Sequence, residues 1–290
     1  MRPFLIIFLL IILVGCSKEQ DYIGMDYRIF SNTPAWELAK AVSRDDVYAI
    51  QYQIENIGIP INYQDPKFGN TVLMNAIMNR NYKSIEYLLK LGADPNLYND
   101  TIKNVGSNSV IFASKWAVSP YILSLLLEYG GNPNSFCKGY EIRPFGKKVP
   151  FRKSALDFAA EDDVEKVKIL LNAGADINRR VQGRNFPSAL KGALIFNMKT
   201  TLILLENGAD YNCNFAYPSD CKDDCFHSIL YELRFFQPEI GSQEFEDKQK
   251  VIKFLKSKGL DYYESEIPQI AIEIAQKRYP NNWEEYLKIY

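Results

Sequence analysis

The phrase Gly-Ala-Asp-x-Asn keeps returning along this 290-residue chain, and the recurrence restricts the fold more than any other feature. Copies stand at Gly92-Ala93-Asp94-Pro95-Asn96, Gly174-Ala175-Asp176-Ile177-Asn178 and Gly208-Ala209-Asp210-Tyr211-Asn212, with a variant at Gly130-Gly131-Asn132-Pro133-Asn134. Degraded copies begin at Gly58 and Gly259. Successive glycines are therefore 34, 38, 44, 34 and 51 residues apart. A period near 34 with a few long intervals predicts a stacked array, because units this small bury their apolar faces only against neighbours.

Each copy has the same interior. Leu88-Leu89, Leu125-Leu126-Leu127, Leu170-Leu171 and Leu204-Leu205 precede the glycines, and Ile85, Ile122, Val167 and Leu202 lie one turn earlier. That spacing draws one buried stripe along a short helix. The glycine ends the helix, since a left-handed residue costs least without a Cβ. A second helix signal opens upstream at Thr71, Ser109, Ser154 and Ser188, each placed as an N-cap. The expected fold is all-α, about six helix-turn-helix units. Residues 263–290 fall outside the repeat. Ile267–Ala275 and Trp283–Tyr290 read as closing helices that cover the exposed end of the stack.

These phrases, with their Leu-Leu pairs, resemble the ankyrin repeat family over roughly residues 36–262. The family's Thr-Pro-Leu-His-x-Ala opening keeps its Ser or Thr and usually its final Ala, but loses both Pro and His in the four clear copies. The resemblance implies an ankyrin-repeat solenoid over 33–262 with a C-terminal helical cap at 263–290, and a protein as the partner.

The start of the chain carries a second signal. Arg2 is followed by an unbroken apolar run from Phe4 to Val14, 11 residues, which suits a signal-peptide core and is short for a membrane span of about 20. Leu13-Val14-Gly15-Cys16 looks like the lipobox of bacterial lipoproteins. That resemblance implies a signal peptide at 1–15, lipidation of Cys16 and a polar tether at 16–32. With Ser17 after the cysteine, it implies an outer-membrane anchor facing the periplasm.

Charge and motifs narrow the function. Without Arg2 the chain has 33 basic and 35 acidic side chains, a balance that argues against general nucleic-acid binding. It has no Gly-x-Ser-x-Gly elbow, phosphate-binding loop or His-Glu-x2-His pair, and its one histidine, His227, leaves little for a triad. No catalytic residue, metal or cofactor is expected. Beyond Cys16 the cysteines are Cys137, Cys213, Cys221 and Cys225. The cluster of Cys213, Cys221 and Cys225 beside His227 leaves three readings open: a disulfide, free thiols, or a Cys3His zinc site without the usual knuckle spacing.

The loops distinguish this array. Residues 138–153 hold six basic side chains, Arg143, Lys147, Lys148 and Arg152 among them, against one acid, interleaved with Tyr140, Phe145 and Phe151. The next loop adds Arg179, Arg180, Arg184 and Phe186. Arg and aromatic residues carry interface energy, so these residues form the candidate partner surface. Ankyrin lipoproteins of this build occur as immunity proteins beside secreted antibacterial effectors, often lipases. The resemblance thus implies an envelope-tethered inhibitor, monomeric when unbound, with a scaffold for a resident envelope protein as the alternative and an enzyme as a remote one.

Overall fold

Each Gly-containing phrase closes one helical pair, and the pairs stack in sequence order. The computed structural model describes residues 23–102, 105–116, 119–142, 144–181, 184–216 and 226–289. Unit one is α1 (Trp36–Ser43) and α2 (Val47–Gln51), the latter continued by a π-helical turn at Tyr52–Asn56. Then come α3 (Val72–Asn79) with α4 (Tyr82–Lys90), and α5 (Ser109–Lys115) with α6 (Pro120–Glu128). A hairpin, β1 (Tyr140–Ile142) and β2 (Lys148–Pro150), precedes α7 (Ala155–Asp162) and α8 (Val164–Asn172). The last pairs are α9 (Ser188–Phe196) with α10 (Met198–Glu206), and α11 (Ile229–Leu233) with α12 (Gln243–Ser257). The inner row α1-α3-α5-α7-α9 and the outer row α2-α4-α6-α8-α10-α12 each pack neighbour on neighbour. The architecture is a helical repeat solenoid. Its hairpin is the one departure from an all-helical chain among the described elements.

Burial follows the predicted stripe. Ile85, Leu88, Ile122, Leu126, Val167, Leu170 and Leu204 are buried, as are Ala76, Ala113, Ala159 and Ala193 where the inner helices meet. The phase differs in one unit. Leu202 is half-buried and Thr201 takes the core position instead, its hydroxyl donating to the Asn197 carbonyl at 3.0 Å. Back-bonding within the helix satisfies that hydroxyl where no water reaches it. Two caps also differ. Thr71 and Ser154 cap as expected, the latter in a reciprocal capping box with Asp157. Asn108, not Ser109, accepts from the Ile111 amide, and Pro187, not Ser188, precedes α9. Ser188 instead donates to Asp157 of the preceding unit at 2.7 Å.

The Asp-x-Asn part of the phrase has a structural reason. Asp94 Oδ1 accepts from the Asn96 amide at 2.8 Å, a local turn repeated by Asn132 with Asn134, Asp176 with Asn178 and Asp210 with Asn212. The second Asn then reaches the next unit. Asn96 donates to the Gly130 carbonyl and accepts from the Asn132 amide, at 2.9 and 2.8 Å. Asn134 does the same to Gly174 and Asp176, and Asn178 to Gly208 and Asp210. These rungs tie consecutive loops into a ladder. Six phrase glycines, 58, 92, 130, 174, 208 and 259, all sit at positive φ between 79° and 91°. No atom within 4 Å would meet a Cβ there, so the requirement is conformational rather than steric.

Both ends are closed. Residues 1–22 lie outside the described residues, and with them the signal-peptide assignment and Cys16. The segment assigned to a polar tether does not stay free: from Ile23 it docks on the first units. Ile29 and Phe30 are buried, Asn70 and Asn79 donate to the Gly24 and Met25 carbonyls, and Tyr27 donates to Asn81. Ile29 and Phe30 are the two side chains of this stretch that reach the core, while Ile23 stays exposed. At the other end, α13 (Gln269–Arg278) and α14 (Trp283–Ile289) form a small core of Ala275, Tyr286 and Leu287. Gln237 ties this cap to the array, donating to the Ala271 carbonyl at 2.9 Å. Among the described residues, no helix is long and apolar enough to cross a membrane.

Candidate functional site

The loops and the C-terminal ends of the inner helices define one groove, and its walls can be built residue by residue. The 138–153 loop becomes a finger because its ends are clamped. The Cys137 amide donates to Lys153, the Phe151 amide to Gly139, and the Lys138 and Gly139 amides to Gly106 and Val105 of the preceding finger. Between the clamps, Tyr140 pairs with Pro150, Glu141 with Val149 and Ile142 with Lys148. Pro144–Gly146 forms the tip, with Phe145 at φ 64° and Gly146 at φ 72°.

The groove floor is aromatic and cationic. Lys115 lies 5.5 Å from the Trp116 ring and 5.6 Å from the Phe158 ring. Lys153 lies 4.5 Å from the same Phe158 ring and 2.5 Å from Glu161. Phe151 packs on Phe158 with centroids 6.3 Å apart. Buried Lys166 holds this floor from behind, donating to the Trp116 carbonyl at 2.7 Å, and burial pulls its pKa down against the nearby Asp163. Beyond Phe151 the groove deepens into a cavity of about 400 Å³ between the hairpin and α9. Its wall includes Glu141, Arg152, Arg184, Ile195 and Phe196. Trp116, Ile195 and Phe196 are exposed although apolar. Exposed aromatic side chains beside cations, along a concave wall, can desolvate a protein surface and hold it by short-range contact.

The residues expected to carry the partner surface separate into three groups. Tyr140, Phe145, Lys147 and Lys148 are exposed on the hairpin. Phe151, Arg152 and Arg184 line the cavity, with Arg152 fixed by the Gly139 and Phe151 carbonyls at 2.8 and 3.0 Å. Phe186 and Arg179 are turned inward, which corrects the expectation for those two, while Arg180 stays exposed in a surface ion pair. Phe186 is fully buried and stacks on Phe215 at 5.9 Å, because its loop folds beneath the cavity rather than outward. Arg179 lies 4.5 Å from the Phe136 ring and 3.7 Å from Asp157, and Arg180 pairs with Asp210 of the next loop. Arg143 lies outside the described residues.

The groove floor itself escaped the sequence reading. Trp116, Phe158, Ile195 and Phe196 look like core residues by type. Their signal is position: Trp116, Ile195 and Phe196 fall at the C-terminal ends of inner helices, and Phe158 sits mid-helix off the buried stripe.

The cysteine cluster is only partly described. Cys213 is a buried thiol whose pKa burial pushes up to about 11, and Cys137 is buried with its pKa also raised by burial. Such thiols are poor nucleophiles near neutral pH. Cys221 and Cys225 lie outside the described residues. His227 lies 3.2 Å from Glu232 and stacks on Tyr231 at 4.1 Å. Glu232 in turn forms a buried pair with Lys191 of the cavity wall at 2.5 Å.

The comparisons with known proteins agree with this architecture. Residues 38–89 match the family described as ankyrin repeats (many copies), and residues 152–181 match its single ankyrin repeat. No curated protein matches the chain. Among solved structures, the human ASB11 ankyrin repeat domain superposes with a TM-score of 0.56 at 18% identity, over 86% of this chain and 95% of that one. The ankyrin repeat protein EF0377 gives 0.55 at 20% identity, over 76% and 96%. An ankyrin repeat domain from Acinetobacter baumannii AYE gives 0.53 at 23% identity, over 77% and 97%. Identities this low speak for the fold alone. The chain therefore folds as an ankyrin-repeat solenoid, with ankyrin repeats matched at residues 38–89 and 152–181.

Proposed function

We propose that the chain is an envelope-tethered protein-binding module, and specifically an immunity protein that occludes a secreted antibacterial effector. Ankyrin repeats are protein-interaction modules, which supports the general reading. The observation that carries it is apolar surface set beside cations: Phe151, Ile195 and Phe196 line the cavity with Arg152 and Arg184, and Lys115 bridges Trp116 and Phe158 on the neighbouring units. Exposed apolar side chains gathered in this way favour a contact site. Lys115 and Lys153 would steer an acidic partner, and the aromatics would hold it after docking. The lipobox-like Leu13-Val14-Gly15-Cys16 supports anchoring through Cys16, where an effector entering the periplasm would be met.

The test is protection from a neighbouring cell's toxin. Cells carrying the chain with Trp116→Ala and Phe196→Glu should lose protection while keeping the folded, anchored protein at normal level. Cys16→Ala should release the protein from the membrane without unfolding it. Full protection by the groove variant would refute the site. A stable complex with a resident envelope protein, formed without any effector, would replace the immunity reading with a scaffold.

A further inference from the structure

The hairpin tip is not part of the groove, and its composition calls for a different contact. Phe145 is completely exposed, at 107% of its reference area, and Ile142 is 73% exposed. Their neighbours Lys147 and Lys148 are exposed as well. The strand register separates two faces. Glu141 and Val149 pair on the half-buried side, and Glu141 lines the cavity. Tyr140, Ile142 and Lys148 are exposed and line no part of that cavity. The one acid of the finger is thus turned inward. The outer face and tip carry two large apolar side chains, a tyrosine and two lysines. No pocket shields Phe145, and its left-handed φ holds it at the apex.

We propose that this tip is a contact site for an anionic phospholipid bilayer. Apolar side chains at the apex of a hairpin enter the acyl boundary, tyrosine suits the headgroup layer, and lysines meet the lipid phosphates. The position of the chain's exit agrees. Ile23, Gly24 and Met25 share a depression with Val105 and Ser107. The Val105–Gly106 backbone is bonded directly to the base of the hairpin at Lys138 and Gly139. Seven residues separate Cys16 from Ile23, a chain length of at most about 25 Å. A membrane anchor at Cys16 would thus bring the base of the hairpin close to a bilayer. The orientation rests on the envelope-tether reading; the contact rests on the hairpin itself.

The experiment uses the full chain on vesicles of phosphatidylglycerol or of phosphatidylcholine. Phe145→Trp adds an indole whose emission is read as the difference from the parent protein. On phosphatidylglycerol the added emission should shift to the blue and be quenched by brominated acyl chains. Phosphatidylcholine should give neither effect. Adding Lys147→Gln and Lys148→Gln should lower hairpin occupancy roughly 25-fold, at about fivefold per lysine. Cys16→Ala separates the two readings: if the anchor is lost, the quenching should persist at high concentrations of phosphatidylglycerol. A vesicle-bound protein whose added indole stays unquenched would overturn the proposal and leave the anchor standing. A blue shift produced by an envelope protein without lipid would likewise overturn it, assigning the tip to a protein interface.

Discussion

Asn134→Ala isolates the ladder that the repeated phrase builds. The Asn134 side chain donates to the Gly174 carbonyl at 3.2 Å and accepts from the Asp176 amide at 2.7 Å, joining units three and four. Each such bond contributes about 0.5–1.5 kcal/mol net. Both partners are solvent-exposed, so water replaces part of what is lost, and the lower half of the summed range applies: about 1–2 kcal/mol. The local turn at Asn132 uses the Asn134 amide and survives the change. Asn212→Ala is the control, because among the described residues its side chain makes no bond to a following loop; it should cost only a few tenths of a kcal/mol. Urea unfolding measures the energies, and hydrogen exchange at the Asp176 amide reads the rung directly. Equal stability of the two variants, with unchanged exchange at Asp176, would refute the ladder as the reason for the Asn.

Three further outcomes follow from packing and burial. Leu170→Ala and Leu204→Ala, both at fully buried sites, should each cost about 2–5 kcal/mol in urea titrations, with unfolding spreading from one end of the array. Phe186→Ala should cost about 3–5 kcal/mol by the same measurement, whereas Phe145→Gly should stabilise by about 1 kcal/mol because it relieves a left-handed side chain. Lys248 is buried against Arg234, and both burial and that charge hold its pKa well below 10.5. The unfolded chain therefore binds the extra proton, so this residue's contribution to stability rises with pH between its lowered pKa and 10.5. Lys248→Met should remove that slope in thermal melts taken between about pH 7 and 9.5.

The repeat was legible because its signals are local. A helix-ending glycine and a leucine pair report themselves within one turn, so the stacked units and the burial of Leu170 and Leu204 follow from the chain directly. What failed depended on neighbours. Thr201 displaced Leu202 from the core because a threonine hydroxyl can bond back to its own helix, which periodicity alone ignores. Phe186 read as a surface anchor because its loop is basic, but Phe215, from a later unit, supplied the ring that buries it. The hairpin has only three residues per strand and no turn phrase of the Asn-Gly type, so its pairing became visible only through the clamps at Val105–Gly106 and Lys153. The groove floor was hidden for the same reason: Trp116 and Phe196 are ordinary helix-end hydrophobes until the array leaves each of them exposed.

The central claim is that the groove of units three to five binds a protein. Hydrogen exchange of the chain, free and in complex with the partner recovered from challenged cells, tests it most directly. The account predicts new protection at residues 112–116, 151–161 and 188–196, with the outer helices α4 and α6 unchanged. Protection confined to those outer helices, where Tyr82, Tyr121 and Tyr129 are exposed, would contradict it.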